Sequence, residues 1–293
     1  MTYTFDWVDA FANTPFGGNG CVVVHGAADL TIDQRLALVR ETSLAECAYM
    51  VGSDIADFGV RYYLADKEIP MAGHPTIATV ASLLDRGLIE LQDGHADFTL
   101  EVGAGVMPIN VDGDQITMTQ MAPVFGRKFD ASDIADIYGL DANDIVGSPQ
   151  VVSTGTPFCI AVLKDKIALK RAKMNVRKLH EFRAASETSR ADLMEPFLVT
   201  LGGETSSGDT FSRLLLAPPS LPEDPFTGSA TGCMAAYLWR HGFIKNQSFV
   251  AEQGHWLGRP GQAKVEVLGP DDAITGVKVG GQGYVLMRGE LAI

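Results

Sequence analysis

An internal repeat constrains this sequence more than any other feature. Two matching fifteen-residue segments run from glycine to glycine, GHPTIATVASLLDRG from Gly73 to Gly87 and GSATGCMAAYLWRHG from Gly228 to Gly242. Apolar residues lie on nearly all sides of each segment, which is typical of a helix that is buried all round. Each segment ends in basic residues and then glycine, a pattern that stops a helix. The repeat therefore predicts two buried helices, each at the centre of its own lobe.

The repetition extends upstream of both segments. The order strand, turn, strand, helix, strand, strand, buried helix occurs twice, with amphipathic helices predicted near residues 32–43 and 176–186. We interpret this as a duplication that gives an α+β fold of two pseudo-symmetric lobes, each a curved, mostly antiparallel sheet or barrel around a central buried helix. The N-terminal lobe is predicted over residues 1–124, completed by a C-terminal strand at about 283–293. The second lobe is predicted over residues 125–282, with the join near 122–128.

Length and composition exclude several classes of protein. The chain has 293 residues, and apolar residues make up 46% of it, which predicts a globular protein of about two domains. A formal net charge of −13 argues against nucleic acid or an anionic membrane as the main partner. The sequence shows no secretory signal and no apolar run of membrane-spanning length, so we expect a cytoplasmic protein. The cysteines and histidines have no metal-binding spacing, and no nucleotide-binding loop is present, so no metal is predicted.

The starts of the two buried helices predict an anion site. Proline is common at the first helical position, so Pro75 predicts His74 as the N-cap, and the repeat places Ser229 at the matching position. The first N–H groups of a helix lack internal acceptors and carry partial positive charge. If both helix starts face one cleft, they would bind a substrate carboxylate without Lys or Arg. The alternative is that His74 and Ser229 are ordinary caps that face water.

Two acidic residues are candidates for proton chemistry. Glu46 lies in SLAECAYMV, where either face of a strand would bury it, and a lone buried carboxylate has a raised pKa near the range of a general acid or base. The alternative is an exposed Glu46 paired with Arg40. Asp224 precedes the second helix start. Its pKa would rise if water is excluded and fall if N–H groups bond to it, and the sequence leaves the direction of the shift open. The alternative is an Asp224 that only forms a turn by bonding to its own backbone.

Six motifs in chain order resemble those of one known family. They are DAFANTPFGGNGCVVV, RETSLAECAYM, IPMAGHPTIATVASLL, EDPFTGSATGCMAAYL, EQGHWLGRPG and GGQGYVLMRGEL. Together they extend along nearly the whole chain, and the sequence is similar to the phenazine-biosynthesis (PhzF-like) isomerase family. The resemblance implies a diaminopimelate epimerase-like fold, with the active site between two pseudo-symmetric lobes.

The resemblance also implies roles for individual residues. Glu46 removes a proton from carbon and returns it at another position, while three further catalytic residues surround the substrate and assist. These three are His74, Asp224 and Ser229, and the implied substrate-binding residues are Asn19, Gly73, Thr227 and Gly228. The best-understood member isomerises a dihydro-hydroxyanthranilate without a cofactor, so no cofactor is predicted here.

Related epimerases and proline racemases use two cysteines, one at each helix start, as an opposed acid/base pair. The residues that flank the two helix starts here are Met71, Ala72, Phe226 and Thr227, and none is a thiol. We interpret Cys47 and Cys233 as small core residues. The absence of paired thiols favours one carboxylate that acts on one face of a planar system.

Three functions remain open. The leading hypothesis is a cofactor-independent isomerase that moves a proton within a small unsaturated or cyclic amino- or hydroxy-carboxylate, with Glu46 as acid and base. The second is an amino-acid racemase or epimerase, and the third is a carboxylate-binding protein that has lost its chemistry. A homodimer is expected because it is the commonest arrangement of such enzymes.

Overall fold

The structure, a computed structural model, describes residues 2–189, 193–218 and 220–293. Met1, Pro219 and residues 190–192 lie outside the described residues. The helices within the described part are α1 (Ile32–Thr42), α2 (Gly73–Asp85), α3 (Ala131–Tyr138), α4 (Lys166–Arg171), α5 (Val176–Ala185) and α6 (Gly228–Arg240). Two short 3₁₀ helices cover Ala142–Asp144 and His255–Leu257.

The strands occur in two series along the chain. The first series is β1 (Thr2–Ala10), β2 (Asn19–Val24), β3 (Cys47–Val51), β4 (Phe58–Tyr63), β5 (Glu68–Ile69), β6 (His95–Val102), β7 (Gly105–Asp112) and β8 (Gln115–Gln120). The second series is β9 (Val124–Lys128), β10 (Ile145–Ser153), β11 (Pro157–Leu163), β12 (Phe197–Leu201), β13 (Thr210–Leu215), β14 (Glu223–Asp224), β15 (Ser248–Gln253), β16 (Gly261–Leu268), β17 (Gly276–Gly281) and β18 (Gly283–Ala292).

The same pairing pattern occurs twice in the sheet. In the first half, β2–β3 and β4–β6 are parallel, while β1–β2, β3–β4, β6–β7 and β7–β8 are antiparallel. In the second half, β11–β12 and β13–β15 are parallel, while β10–β11, β12–β13, β15–β16 and β16–β17 are antiparallel. β8 pairs with β17 and joins the halves. The predicted α+β fold of two pseudo-symmetric lobes is confirmed.

The two repeat segments form the central helices. α2 is buried at every residue from Gly73 to Leu83, and α6 at every residue from Gly228 to Leu238. α2 packs against β1, β2 and β18, while α6 packs against β10, β11, β16 and β17. Each helix thus lies within its own half of the sheet, because a helix that is apolar all round is stable only when other elements cover every face.

The predicted amphipathic helices are also present, as α1 and α5. Two helices that the sequence analysis did not predict, α3 and α4, belong to the second half and contribute to a separate apolar cluster there, with Ile134, Ile137 and Leu169 among its buried residues. The second half is therefore larger than the first. No helix in the described ranges has the length and apolar character needed to cross a membrane.

The last strand lies beside the first. β18 pairs antiparallel with β1 over nine residue pairs, from Thr2 with Ala292 to Ala10 with Gly283, and the register shifts at Trp7 and Val8. β9, which lies in the predicted join, pairs instead with β10. The limits of the two lobes at residues 124, 282 and 293 stay a prediction.

Candidate active site

The first residues of the two central helices touch each other. A Cβ atom added to Gly73 would lie 2.7 Å from Gly228 Cα and 2.7 Å from the Ser229 backbone nitrogen. A Cβ atom on Gly228 would lie 2.7 Å from Phe11 Cε2. Only glycine leaves room for backbones to approach this closely. The expected convergence of the two helix starts is therefore observed, and it depends on these two glycines.

The predicted N-caps are wrong. The helices begin at Gly73 and Gly228, so His74 and Ser229 each occupy the second helical position, and the N-caps are Ala72 and Thr227. Neither N-cap side chain bonds to its helix. Pro75 did not fix the start because any residue of the first turn lacks an internal acceptor for its N–H, so proline is tolerated throughout that turn.

The two adjacent helix starts bring several backbone N–H groups close together. No described residue accepts a hydrogen bond from the N–H groups of Gly73, His74, Gly228 or Ser229. Each helix N-terminus carries about half a positive charge. Two of them in contact provide positive potential without a Lys or Arg side chain, and this is an arrangement that binds carboxylates.

A cavity of about 670 Å³ adjoins the helix starts. Four of the predicted site residues line it: Glu46, Asp224, Thr227 and Ser229. The other four, Asn19, Gly73, His74 and Gly228, are buried beside these lining residues, and the two glycines belong to the helix starts that the cavity adjoins. The apolar part of the wall comes from both halves of the chain and includes Leu44, Ile69, Met71, Phe158, Leu214 and Leu216. The structure thus brings all eight predicted residues together at the junction of the halves.

Among the described residues, none forms a hydrogen bond with the Glu46 carboxyl group. Glu46 lies immediately before β3, its side chain is 18% exposed, and its Oε2 atom is buried at 3.8 Å from His74 Nδ1. Burial, together with the nearby charge of Asp224, raises the pKa of Glu46 to about 8. The alternative of pairing with Arg40 is not observed, because the Arg40 guanidinium donates to the Ala65 carbonyl at 2.8 Å. Glu46 is therefore largely protonated at pH 7.

Asn19 connects the other polar groups of the site. Its Nδ2 donates to Asp224 Oδ1 at 2.8 Å and to the Phe226 carbonyl at 2.9 Å, and it lies 3.2 Å from His74 Nδ1. Burial lowers the pKa of His74 to about 3, with a further contribution from the positive charge of Arg259. His74 is therefore neutral at pH 7, and its buried ring Nε2 has no hydrogen-bond partner within residues 2–189, 193–218 and 220–293.

At Asp224 the structure gives the direction of the pKa shift, which the sequence left open. Burial raises the pKa of Asp224 to about 6, although hydrogen bonds from Thr227 and Asn19 oppose the shift. The Thr227 hydroxyl donates to Asp224 Oδ2 at 2.6 Å. Asp224 is thus mostly ionised at pH 7 beside a mostly protonated Glu46, and two carboxyl groups with separated pKa values can serve different steps of proton transfer.

Sequence reasoning missed two glutamines that hold the second helix start. Gln253 donates to the Asp224 carbonyl at 2.8 Å and accepts from the Thr227 N–H at 3.1 Å. Gln120 donates to the Gly228 carbonyl at 3.0 Å and accepts from the Thr154 hydroxyl at 2.6 Å. Gln253 lies in the motif EQGHWLGRPG, whose glycines and proline indicate a turn but not which residues that turn contacts.

The cysteines do not provide a second base. Cys47 and Cys233 are fully buried, and burial raises the pKa of Cys47 to about 12 and that of Cys233 to about 11. Both thiols are therefore protonated at neutral pH. Their predicted position in the core is confirmed.

The fold is one of two similar halves with a cavity at their junction, and comparison with known proteins gives the family. The family model for phenazine biosynthesis-like proteins (PhzC-PhzF) matches residues 8–289. The chain belongs to this family.

Individual relatives agree with that assignment. The uncharacterized isomerase YddE of Salmonella typhimurium is 30% identical over 98% of this chain and 97% of its own length. The trans-2,3-dihydro-3-hydroxyanthranilate isomerase of Pseudomonas chlororaphis is 28% identical over 98% of each chain. A PhzF-family crystal structure from Bacillus anthracis superimposes with a TM-score of 0.85, at 26% identity over the whole of both chains. The chain is thus an isomerase with the predicted epimerase-like fold.

Proposed function

We propose that this isomerase moves a proton between two carbon atoms of a small unsaturated or cyclic amino- or hydroxy-carboxylate, with Glu46 as acid and base. The observation that carries the proposal is the position of Glu46: its carboxyl, which no residue in the described part of the chain hydrogen-bonds, lies on the wall of a cavity that adjoins two touching helix starts. A group with a pKa of about 8 can both accept and return a proton near neutral pH.

The helix starts would hold the substrate carboxylate. When ionised Glu46 removes a proton from carbon, the electron pair of the broken C–H bond delocalises through the unsaturated system toward the carboxylate. The N–H groups of Gly73, His74, Gly228 and Ser229 stabilise the negative charge that develops there. Glu46 then returns the proton at another carbon on the same face. No electrons are gained or lost, so the reaction is an isomerisation.

The cavity and the relatives support this substrate class. The Pseudomonas chlororaphis relative is named for its substrate, trans-2,3-dihydro-3-hydroxyanthranilate, which is a cyclic hydroxy- and amino-carboxylate. Apolar side chains from both halves would contact the ring, while the helix starts would contact its carboxylate. We also propose that the enzyme acts in the cytoplasm as a homodimer.

Replacement of Glu46 tests its role. We expect Glu46→Gln to bind ligand but to lose on the order of 10²-fold or more in turnover, because the amide cannot accept the proton. Turnover of trans-2,3-dihydro-3-hydroxyanthranilate in D₂O, followed by NMR of the product, measures both rate and deuterium position. Glu41→Gln changes an exposed glutamate on α1 and should leave the rate unaltered. Full activity of Glu46→Gln would exclude this role.

The same measurement separates the alternatives. A racemase or epimerase would put solvent deuterium at the α-carbon of a recovered amino acid and abolish its chirality. A binding protein without chemistry would be stabilised against heat by carboxylates but would incorporate no deuterium. An isomerase that uses Glu46 forms a product with its double bonds moved, and any solvent deuterium that exchanges onto Glu46 before the return step lies at the carbon that receives the proton.

A further inference from the structure

We propose that Arg259 is a positioning residue of this site, which reaches from the second half of the chain to hold the Asn19 amide between Asp224 and His74. Arg259 does not line the cavity and was absent from the predicted site residues. The inference deepens the proposed function, because it concerns the same site. It depends first on the hydrogen bonds of one guanidinium group.

The guanidinium of Arg259 binds the chain just before Asn19. Its Nε donates to the Gly18 carbonyl at 2.9 Å, and its Nη2 donates to the Gly17 carbonyl at 2.9 Å and to Asp9 Oδ1 at 2.6 Å. Asp9 is fully buried, and its other oxygen accepts from the Phe16 N–H at 2.7 Å. A planar guanidinium fixes the directions of its donors toward several acceptors, which a lysine ammonium on its flexible stem does not do.

The turn that Arg259 holds has little freedom to move. The Gly18 N–H donates to the Pro260 carbonyl at 2.9 Å, so the segment that carries Arg259 binds Gly18 through both its N–H and its carbonyl. Gly18 has a φ of +53°, and a Cβ atom there would lie 2.0 Å from the Ala10 carbonyl oxygen. Asn19 is the next residue and begins β2. Displacement of this turn would therefore displace the Asn19 amide.

The charges around His74 support the same assignment. Glu46 faces the ring from the start of β3 at 3.8 Å, and Asp224 on β14 is linked to it through Asn19. Arg259, from the segment between β15 and β16, adds its positive charge to the burial that lowers the pKa of His74. A neutral ring lets Nδ1 share one of the two Asn19 amide hydrogens that also face Asp224 and the Phe226 carbonyl, whereas a protonated ring would present a donor to a donor.

Arg259→Gln tests the proposal. We expect the pKa of His74, followed by NMR of its labelled imidazole, to rise, and the Asn19 side-chain amide signals to shift. Variants His74→Gln and Asn19→Asp assign these signals. With trans-2,3-dihydro-3-hydroxyanthranilate as probe, kcat should fall by about 10- to 100-fold while KM changes little, because misplaced groups lower the rate more than binding.

Two further variants separate charge from position, and a third is the control. Arg259→Lys keeps the charge without the planar guanidinium, so it should preserve the low pKa of His74 but shift the Asn19 signals. Arg259→Gln leaves the buried Asp9 carboxylate without its guanidinium. If that variant fails to fold, the double variant Asp9→Asn/Arg259→Gln removes this buried charge and takes its place in the test. Arg61→Gln breaks a comparable contact, since Arg61 is 26% exposed and binds Glu101 at 2.6 Å and the Val60 carbonyl at 3.0 Å. This control should leave the His74 and Asn19 signals unchanged.

The NMR measurements do not depend on turnover. If wild-type protein fails to convert the probe, the proposed function loses support while the Arg259 proposal is still decided by the His74 and Asn19 signals. Unchanged His74 titration and unchanged Asn19 amide signals in a folded Arg259→Gln protein would overturn the positioning role.

Discussion

At the scale of single residues, Glu46 illustrates how a site can oppose stability. A buried carboxyl without a hydrogen-bond partner costs free energy when it is ionised, and Glu46 responds by retaining its proton to a pKa of about 8. Asp224 shifts in the same direction but less, because Asn19 and Thr227 donate to it. The two groups therefore differ in charge at neutral pH, and the hydrogen bonds to Asp224, together with the effect of its charge on Glu46, contribute to the difference.

The raised pKa of Glu46 makes stability depend on pH. Between the ordinary value of 4.5 and about 8, the folded state binds a proton that the unfolded state releases, so the free energy of unfolding falls as pH rises. This contribution approaches about 1.4 kcal/mol per pH unit in that interval. We expect Glu46→Gln to flatten the fall between pH 5 and 8, as measured by urea unfolding at each pH. Equal pH slopes in wild type, Glu46→Gln and Glu41→Gln would contradict the shift.

The same ionisation should control the reaction rate. Glu46 accepts a proton only as the carboxylate, so kcat/KM should increase with pH until an apparent pKa of about 8 is passed. Initial rates between pH 6 and 9.5 with trans-2,3-dihydro-3-hydroxyanthranilate measure this profile. A rate that is independent of pH across that range would rule out a base with this pKa.

At the scale of elements, the site is the contact between α2 and α6. Neither helix presents a charged side chain in its first turn, so the backbone itself supplies the positive potential. The side chains of Gln120 and Gln253 hold the beginning of α6, and Arg86 and Ser82 near the end of α2 bind the buried carboxylate of Asp6 on β1. The position of each helix is thus fixed by polar contacts at its ends and apolar contacts along its length.

Gly73→Ala tests the contact between the helices. The added Cβ would meet backbone atoms at 2.7 Å, and backbone cannot yield as a flexible side chain does. We expect a loss of about 1–3 kcal/mol in the free energy of unfolding, with weaker carboxylate binding because the donor groups move apart. Gly52→Ala is the matched control, since a Cβ there meets nothing within 4 Å. Equal thermal unfolding and binding in the two variants would contradict the close approach.

At the scale of the whole molecule, the first and last strands hold the chain together. β18 pairs with β1 along its whole length, and Gly283 lies against Ala81 of α2, so the C-terminal strand completes the surroundings of the first central helix. β8 and β17 form the other connection between the halves. The cavity lies where the halves meet, and residues from both line it.

Removal of the last strand tests its place in the fold. A chain ending at Gln282 would expose the hydrogen-bonding edge of β1 and one side of α2, so we expect loss of cooperative thermal unfolding and strong aggregation. A chain ending at Leu291 keeps most of the β1 pairing and serves as control. Wild-type unfolding of the shorter chain would show that the first lobe is complete without residues 283–293.

The sequence alone determined the repeat and several of its elements. Apolar periodicity is a local property, so it identified α1, α5 and the two buried helices, and the apolar surroundings of Glu46 indicated a raised pKa. The motifs identified the eight candidate residues by resemblance. The sequence analysis missed α3 and α4. It also predicted both helix starts too far along the chain, because proline is tolerated throughout a first turn.

Only the tertiary structure decided which distant groups meet. The contact of Gly73 with Gly228, the sign of the shift at Asp224 and the reach of Arg259 to Gly17 and Gly18 depend on distances between segments far apart in the chain. Those distances follow from the closure of the whole sheet through β8–β17 and β1–β18. Local sequence patterns carry no information about these distances. They also leave the pKa shifts open, because desolvation and charge act through space.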